Sequence, residues 1–230
     1  LAFATTPLLA APAHLLAHWT FDEAAPPYAS YGPYVITLEQ DASTTAAGTL
    51  AGVVGPATLV GWAEPGPATR LLTAASQIQR DSFGFSFWLN PNYLDAFNSL
   101  LGKEKLGQPS LQPWEKMAWQ VQVGPNDGTG NAPIEFVVRG SGAGFYGNVF
   151  SGIKLALFQD TDRWIHVAGG YDAATGALSL FVDGVAAYNI SQFNAGAINS
   201  DGGALSVGTH KNGPDVVGYG GGAGIDELQI

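Results

Sequence analysis

In FGFSFWLNP, Phe83, Phe85, Phe87 and Leu89 fall on every second position. A period of two places them on one face of a β-strand. MAWQVQVG repeats the pattern, with Trp119, Val121 and Val123 alternating with Gln120 and Gln122. In DRWIHVAGGYD, Trp164, His166 and Ala168 share one face, and Ile165, Val167 and Tyr171 the other. His166 is therefore read as a partly buried sheet residue. The segment ATGALSLFVDGVAAYNI continues with a turn at Thr175–Gly176 and two apolar runs flanking Asp183–Gly184. Asp-Gly between apolar runs signals a hairpin, because the primed turns need positive φ.

Further short strands are read in LLAHWTFDE, YVITLE, SLLGKEK, GIKLALFQ, GALSVGTHK and GIDELQI, and IEFVVRG is expected to pair with MAWQVQVG across PNDGTGNAP. The Ala-, Gly-, Thr- and Pro-rich stretch from Asp41 to Arg70 reads as a long surface excursion. No run of about ten residues carries a helical period. The sum is about a dozen strands, which predicts an all-β protein: a two-sheet antiparallel β-sandwich or jelly roll.

Composition supports this reading and removes some functions. The 230 residues include 31 Gly and 14 Pro, with 12% charged and 46% hydrophobic residues. That suits short strands, tight turns and a sizeable core. A formal charge of −10 with nine Lys and Arg argues against nucleic acid as a partner, since phosphate binding needs clustered cations. There is no cysteine, so disulfide and thiolate chemistry are excluded. The apolar stretch LAFATTPLLAAPA contains an A-x-A pattern at Ala11–Ala13, but is read as an N-terminal arm or added strand, residues 1–14, ahead of a domain over 15–230. Broken by Pro7 and Pro12, it is too short to span a bilayer.

Taken in order, LLAHWTFDE, FGFSFWLNP, LLGKE, DRWIHVAGGYDAATGALSLFVDGV, ALSVGTHKN and AGIDELQI resemble the bacterial laminin-G-like (LamG-like) domains of the concanavalin-A-like lectin/glucanase superfamily. The resemblance runs from about Leu15 to Ile230. It implies a concanavalin-A-like jelly roll in a secreted or cell-surface protein, and leaves activity open, because the fold carries lectins, adhesion modules, hydrolases and lyases. The Asp41–Arg70 stretch has no clear family counterpart.

The hydrolases of this superfamily set carboxylates on one strand as E-x-D-x-x-E, so that alternation points them into a cleft. Here Glu39-Gln40-Asp41 is followed by Ala42, Ser43 and Thr44, and the last Glu is missing. The lyase pattern of Arg, Gln, His and Tyr has Gln120, Gln122 and His166 but no arginine-bearing strand motif, and no G-x-S-x-G elbow is present. The expectation is a non-enzyme. The superfamily often carries a structural calcium tying the first strand to the last, which implies Asp22 and Asp226 as ligands; the alternative is that Asp22 caps a turn and Asp226 holds backbone N–H groups. NDGTGN, Asn126 to Asn131, is read as a plain turn. Aromatic residues in loops that could stack on sugar rings are Trp62, Tyr93, Trp114, Tyr146 and Tyr219, whereas Trp19, Trp88, Trp119 and Trp164 are assigned to the core.

These features favour an extracellular, non-catalytic binding module for a polysaccharide or a surface protein, stabilised by calcium. One alternative is a structural subunit of a surface or filament assembly that uses the arm for self-assembly. Another is a polysaccharide hydrolase or lyase.

Overall fold

The computed structural model describes residues 15–22, 28–29, 34–40, 48–51, 53, 56–62, 69–73, 82–91, 94–104, 117–139, 146–159, 163–187, 198, 203–208, 210–212, 215–217 and 221–230. The arm, residues 1–14, lies outside them. The strands begin with β1 (His18–Trp19), β2 (Tyr28–Ala29), β3 (Val35–Gln40), β4 (Gly48–Ala51), β5 (Pro56–Trp62) and β6 (Thr69–Thr73). They continue with β7 (Phe83–Asn90), β8 (Ser99–Glu104), β9 (Met117–Val123), β10 (Asn131–Arg139), β11 (Tyr146–Ala156) and β12 (Ile165–Asp172). The last are β13 (Ala177–Val182), β14 (Val185–Ala186), β15 (Leu205–Gly208), β16 (His210–Asn212), β17 (Asp215–Val217) and β18 (Gly221–Gln229). Among the described residues there is no helix, and none long and apolar enough to cross a membrane.

Among the described residues all strand pairings are antiparallel. One sheet runs β11-β10-β9-β8-β15-β6-β3-β2 and the other β4-β5-β18-β7-β12-β13-β14, with β1 also on β18. Among the described residues a single pair, Gly61 opposite Thr69, joins them at a corner, while β16 and β17 form a separate ribbon. The chain is thus the expected two-sheet sandwich.

Alternation builds the core. On β7, Phe85, Phe87 and Leu89 are buried and Ser86 and Trp88 only half so. Across the core, Phe83 stacks on Trp119 at 4.6 Å between ring centroids, and Phe85 meets Phe136 edge-on at 5.1 Å. These contacts tie β7 of one sheet to β9 and β10 of the other. The β9–β10 pairing is as expected, with Ile134 opposite Val123. So is the hairpin at Asp183–Gly184, whose φ values of 49° and 76° are those of a type I′ turn.

Three expectations are corrected. The stretch Asp41–Arg70 is not a bare excursion: it contains β4 and β5 and the start of β6, and β5 pairs with the last strand, β18. Trp88 and Trp164 are half-buried, not core. Trp88 alternates with Phe87 and Leu89 and so points away from the core, its ring 5.1 Å from that of His166. Finally, Trp62 and Tyr146 stand in strands rather than loops, because β5 extends to pair Trp62 with Gly221 and β11 extends to pair Tyr146 with Arg139.

Candidate functional site

Strands β9 and β10 turn one row of side chains to the core and the alternate row away from it. Trp119, Val121 and Val123 with Ile134, Phe136 and Val138 form the core row. The other row carries Gln120, Gln122, Glu135, Val137 and Arg139, and the register adds Asn148 of β11 opposite Val137. A polar face results, built on a well-packed sheet.

Glu135 is its centre. Gln122 Nε2 donates to Glu135 Oε2 at 2.6 Å, and Asn148 Nδ2 donates to Glu135 Oε1 at 2.7 Å. Glu135 is buried, while Gln122, opposite it on β9, and Asn148 on β11 are half-buried. Beside them Gln120 is 1% exposed, and among the described residues its Oε1 has no donor. Buried acceptors are nearly always paired, so this oxygen marks a place where a donor would be favourable. The alternation of IEFVVRG against its partner MAWQVQVG carries this signal, but family motifs single out the glutamines without Glu135, Arg139 and Asn148. Arg139 also supplies the strand arginine that those motifs do not reveal. His166 does not join this face, since it lies on β12 of the opposite sheet.

Of the aromatic candidates, Tyr146 is brought beside Arg139 at one end of this face, and Trp62 lies on β5 in the other sheet; of both, the backbone is described. Tyr93, Trp114 and Tyr219 lie outside the described residues.

Asp226 stands opposite Trp88 and is fully buried. Its Oδ2 accepts the Val53 N–H at 2.8 Å and its Oδ1 the Glu227 N–H at 3.0 Å. Glu227 itself has a φ of 51° within a register shift of β18. Asp226 therefore pins the chain beside β4 and β5 to the last strand, and a cation would compete with both donors for its lone pairs. Asp22 is exposed, three residues past the Trp19 that pairs with Leu228. Among the described residues, no group of three or more His, Asp or Glu is placed to hold a metal. Nearby, His18 Nε2 bonds Glu227 Oε2 and joins β1 to β18.

NDGTGN is a turn organised by Asp127. The Lys154 ammonium at 2.8 Å, with the Thr129 hydroxyl and N–H, holds the Asp127 carboxyl well below the usual carboxylate range. Asp183 does more than turn the hairpin. Its Oδ1 accepts the His166 N–H at 2.8 Å and its Oδ2 is bound by Arg163, so it clamps the start of β12.

Two antiparallel sheets packed through one core, with a largely buried polar row on the side of β9 and β10 away from it, define a lectin-type β-sandwich. A laminin-G family model, described as concanavalin A-like lectin/glucanases superfamily, matches residues 66–230, and the chain belongs to that superfamily. Among solved structures, a heptameric SAP-like pentraxin from Limulus polyphemus is 12% identical, with a TM-score of 0.53 over 74% of this chain and 73% of that one. The Trypanosoma rangeli sialidase, in complex with 2,3-difluorosialic acid, is 14% identical, with a TM-score of 0.50 over 94% of this chain and 30% of that one. At these identities the likeness is one of fold. No curated protein sequence matches the chain. The superfamily, by its own description, holds lectins and glucanases alike, so membership fixes the fold and leaves activity to the site.

Proposed function

We propose that the protein is an extracellular, non-catalytic carbohydrate-binding module whose ligand meets the Gln122–Glu135–Asn148 face. The observation that carries this is the state of Glu135, with each carboxylate oxygen held by a side-chain amide. Glycoside hydrolysis needs two carboxyl groups roughly 5 to 9.5 Å apart, one of them ready to give or take a proton. Among the side chains described on this face, Glu135 is the single carboxylate. Bound this way it acts as an orienting group: it fixes the NH2 end of Gln122 and so presents the carbonyl end to a sugar hydroxyl. The superfamily's lectin membership supports the same reading.

A glycan array, run with calcium and with chelator, tests it. At least one polysaccharide should be bound by wild-type protein, and Gln122→Ala should weaken that binding about tenfold. Folded protein that binds no glycan in either condition would sink the reading. So would release of reducing ends or unsaturated products from a polysaccharide panel, which would assign the protein to the enzymes of its superfamily.

A further inference from the structure

Two phenylalanines on one rim of the sandwich hold a backbone conformation that bulky side chains rarely adopt. Phe97 has a φ of 65° and is 47% exposed; Phe158 has a φ of 56° and is 52% exposed. Neither belongs to the core cluster. They sit in different loops that are tied to each other and to the sheet. The Phe158 N–H donates to the Leu94 carbonyl at 2.9 Å, and the Phe97 N–H to the Val123 carbonyl at 2.9 Å. Val123 N–H returns a bond to the Asn98 carbonyl at 2.9 Å, and Asn98 Oδ1 accepts the Asp95 N–H at 2.6 Å. Leu157 N–H donates to the Gly130 carbonyl at 2.9 Å. These bonds hold both residues in a left-handed conformation that an untethered loop would leave. Strain kept at half-exposed aromatic residues points to a use for the exposed ring faces.

Size and charge select the ligand. An aromatic side chain offers about 150–250 Å², so two half-exposed rings present roughly 200 Å², far below the ~800 Å² per partner of a stable protein interface. A small flat ligand fits that area. Asp95, Asn126, Thr129 and the Asp127–Lys154 ion pair belong to the same rim, and the chain carries a net charge of −10. Acidic and hydroxyl groups around an apolar platform disfavour an anionic ligand and suit one with an apolar ring face edged by hydroxyls.

We propose that Phe97 and Phe158 form a stacking platform for a neutral hexopyranose unit of a glycan. The proposal rests on the carbohydrate-binding reading and gives it a second contact region: Val123, which anchors Phe97, directly follows Gln122 of the polar face.

The test is calorimetric and NMR titration of the protein with cellohexaose, mannohexaose and, as a charged comparison, hexagalacturonate. Wild-type protein should bind a neutral hexasaccharide, with shifts at the Phe97 and Phe158 amides. Phe97→Ala and Phe158→Ala should each weaken binding about tenfold, with thermal melting unchanged, while Phe97→Tyr and Phe158→Tyr retain it. If the sugar binds both alanine variants as tightly as wild type, the platform is wrong and the carbohydrate-binding reading stands. Binding of hexagalacturonate alone would likewise overturn the platform and leave that reading in place. If none of the three sugars binds, the platform falls and the broader reading loses support with it.

Discussion

Asp226 shows how much a single side chain can decide in this fold. Its two oxygens take backbone N–H groups from Val53 and Glu227 in a fully buried setting. Asp226→Asn keeps the shape but turns an NH2 toward one of those donors, leaving it unsatisfied, which costs about 1–3 kcal/mol. The melting point should drop by about 2–4 °C for each kcal/mol lost. Calorimetry with calcium and with chelator should give the same drop. A wild-type melting point that rises with calcium, with the rise abolished in Asp226→Asn, would instead give Asp226 and Asp22 to the ion. Lys103 shows the limit of polarity as a guide: in SLLGKE it shares its face with Leu101, and it is buried opposite Trp119 with its Nζ bonded to the Gly203 carbonyl. Period two places it correctly, but no sequence signal announces a carbonyl just ahead of the neighbouring strand β15 to receive it.

At the same scale, acid should act on the turns. Lys154 first, then Thr129, depresses Asp127; the Thr175 hydroxyl first, then the Ala174 N–H, lowers Asp172. A carboxyl whose folded value is depressed contributes stability above its unfolded value, near 3.8 here. That contribution is lost as pH falls from there toward the folded value. Both groups are at the surface, so the effect is modest. Urea melts over about pH 5 to 2 should show a shallower acid loss in Asp127→Asn than in wild type; identical slopes would mean that the Lys154 contact contributes nothing in solution.

Strands are legible where one face is buried and the partner is near in sequence. The hairpin after DRWIHVAGGYD meets both conditions; MAWQVQVG has near partners in β8 and β10, and FGFSFWLNP is legible from its one buried face alone, since its partners β12 and β18 are distant. The Gly169–Gly170 pair in DRWIHVAGGYD is explained by crowding: a Cβ on Gly169 would lie 2.6 Å from the Ser179 carbonyl oxygen and 2.7 Å from Phe85 Cζ. Gly169→Ala should therefore cost about 1–3 kcal/mol. Gly84→Ala, with 3.5 Å to its nearest neighbour, should be close to neutral, and equal chemical melts for the two variants would refute the packing argument. β4 and β5 are hidden because Ala, Gly and Thr give little alternation, and their place is set by a distant partner, β18. The rim is hidden for another reason: φ at Phe97 and Phe158 is imposed by bonds from other loops, and no residue type records it.

For the whole molecule, the outcome turns on β18. It lies between β5 and β7 and also takes β1, with Leu16 and Ala17 N–H groups both donating to the Ile230 carbonyl and Ile230 N–H returning to Ala17. The superfamily motifs foretell this closure only as a metal bridge between Asp22 and Asp226; the backbone makes the link directly. Its antiparallel sense has a mechanical consequence. Residue 15 and residue 230 leave the β1–β18 ladder from the same end. Tension applied between them loads the hydrogen bonds one after another, as a zipper is opened, rather than all together in shear. Trp19, buried behind those bonds, would be the first large side chain pulled from the core, so under tension the sandwich would yield at its terminal seam while the two sheets were still packed.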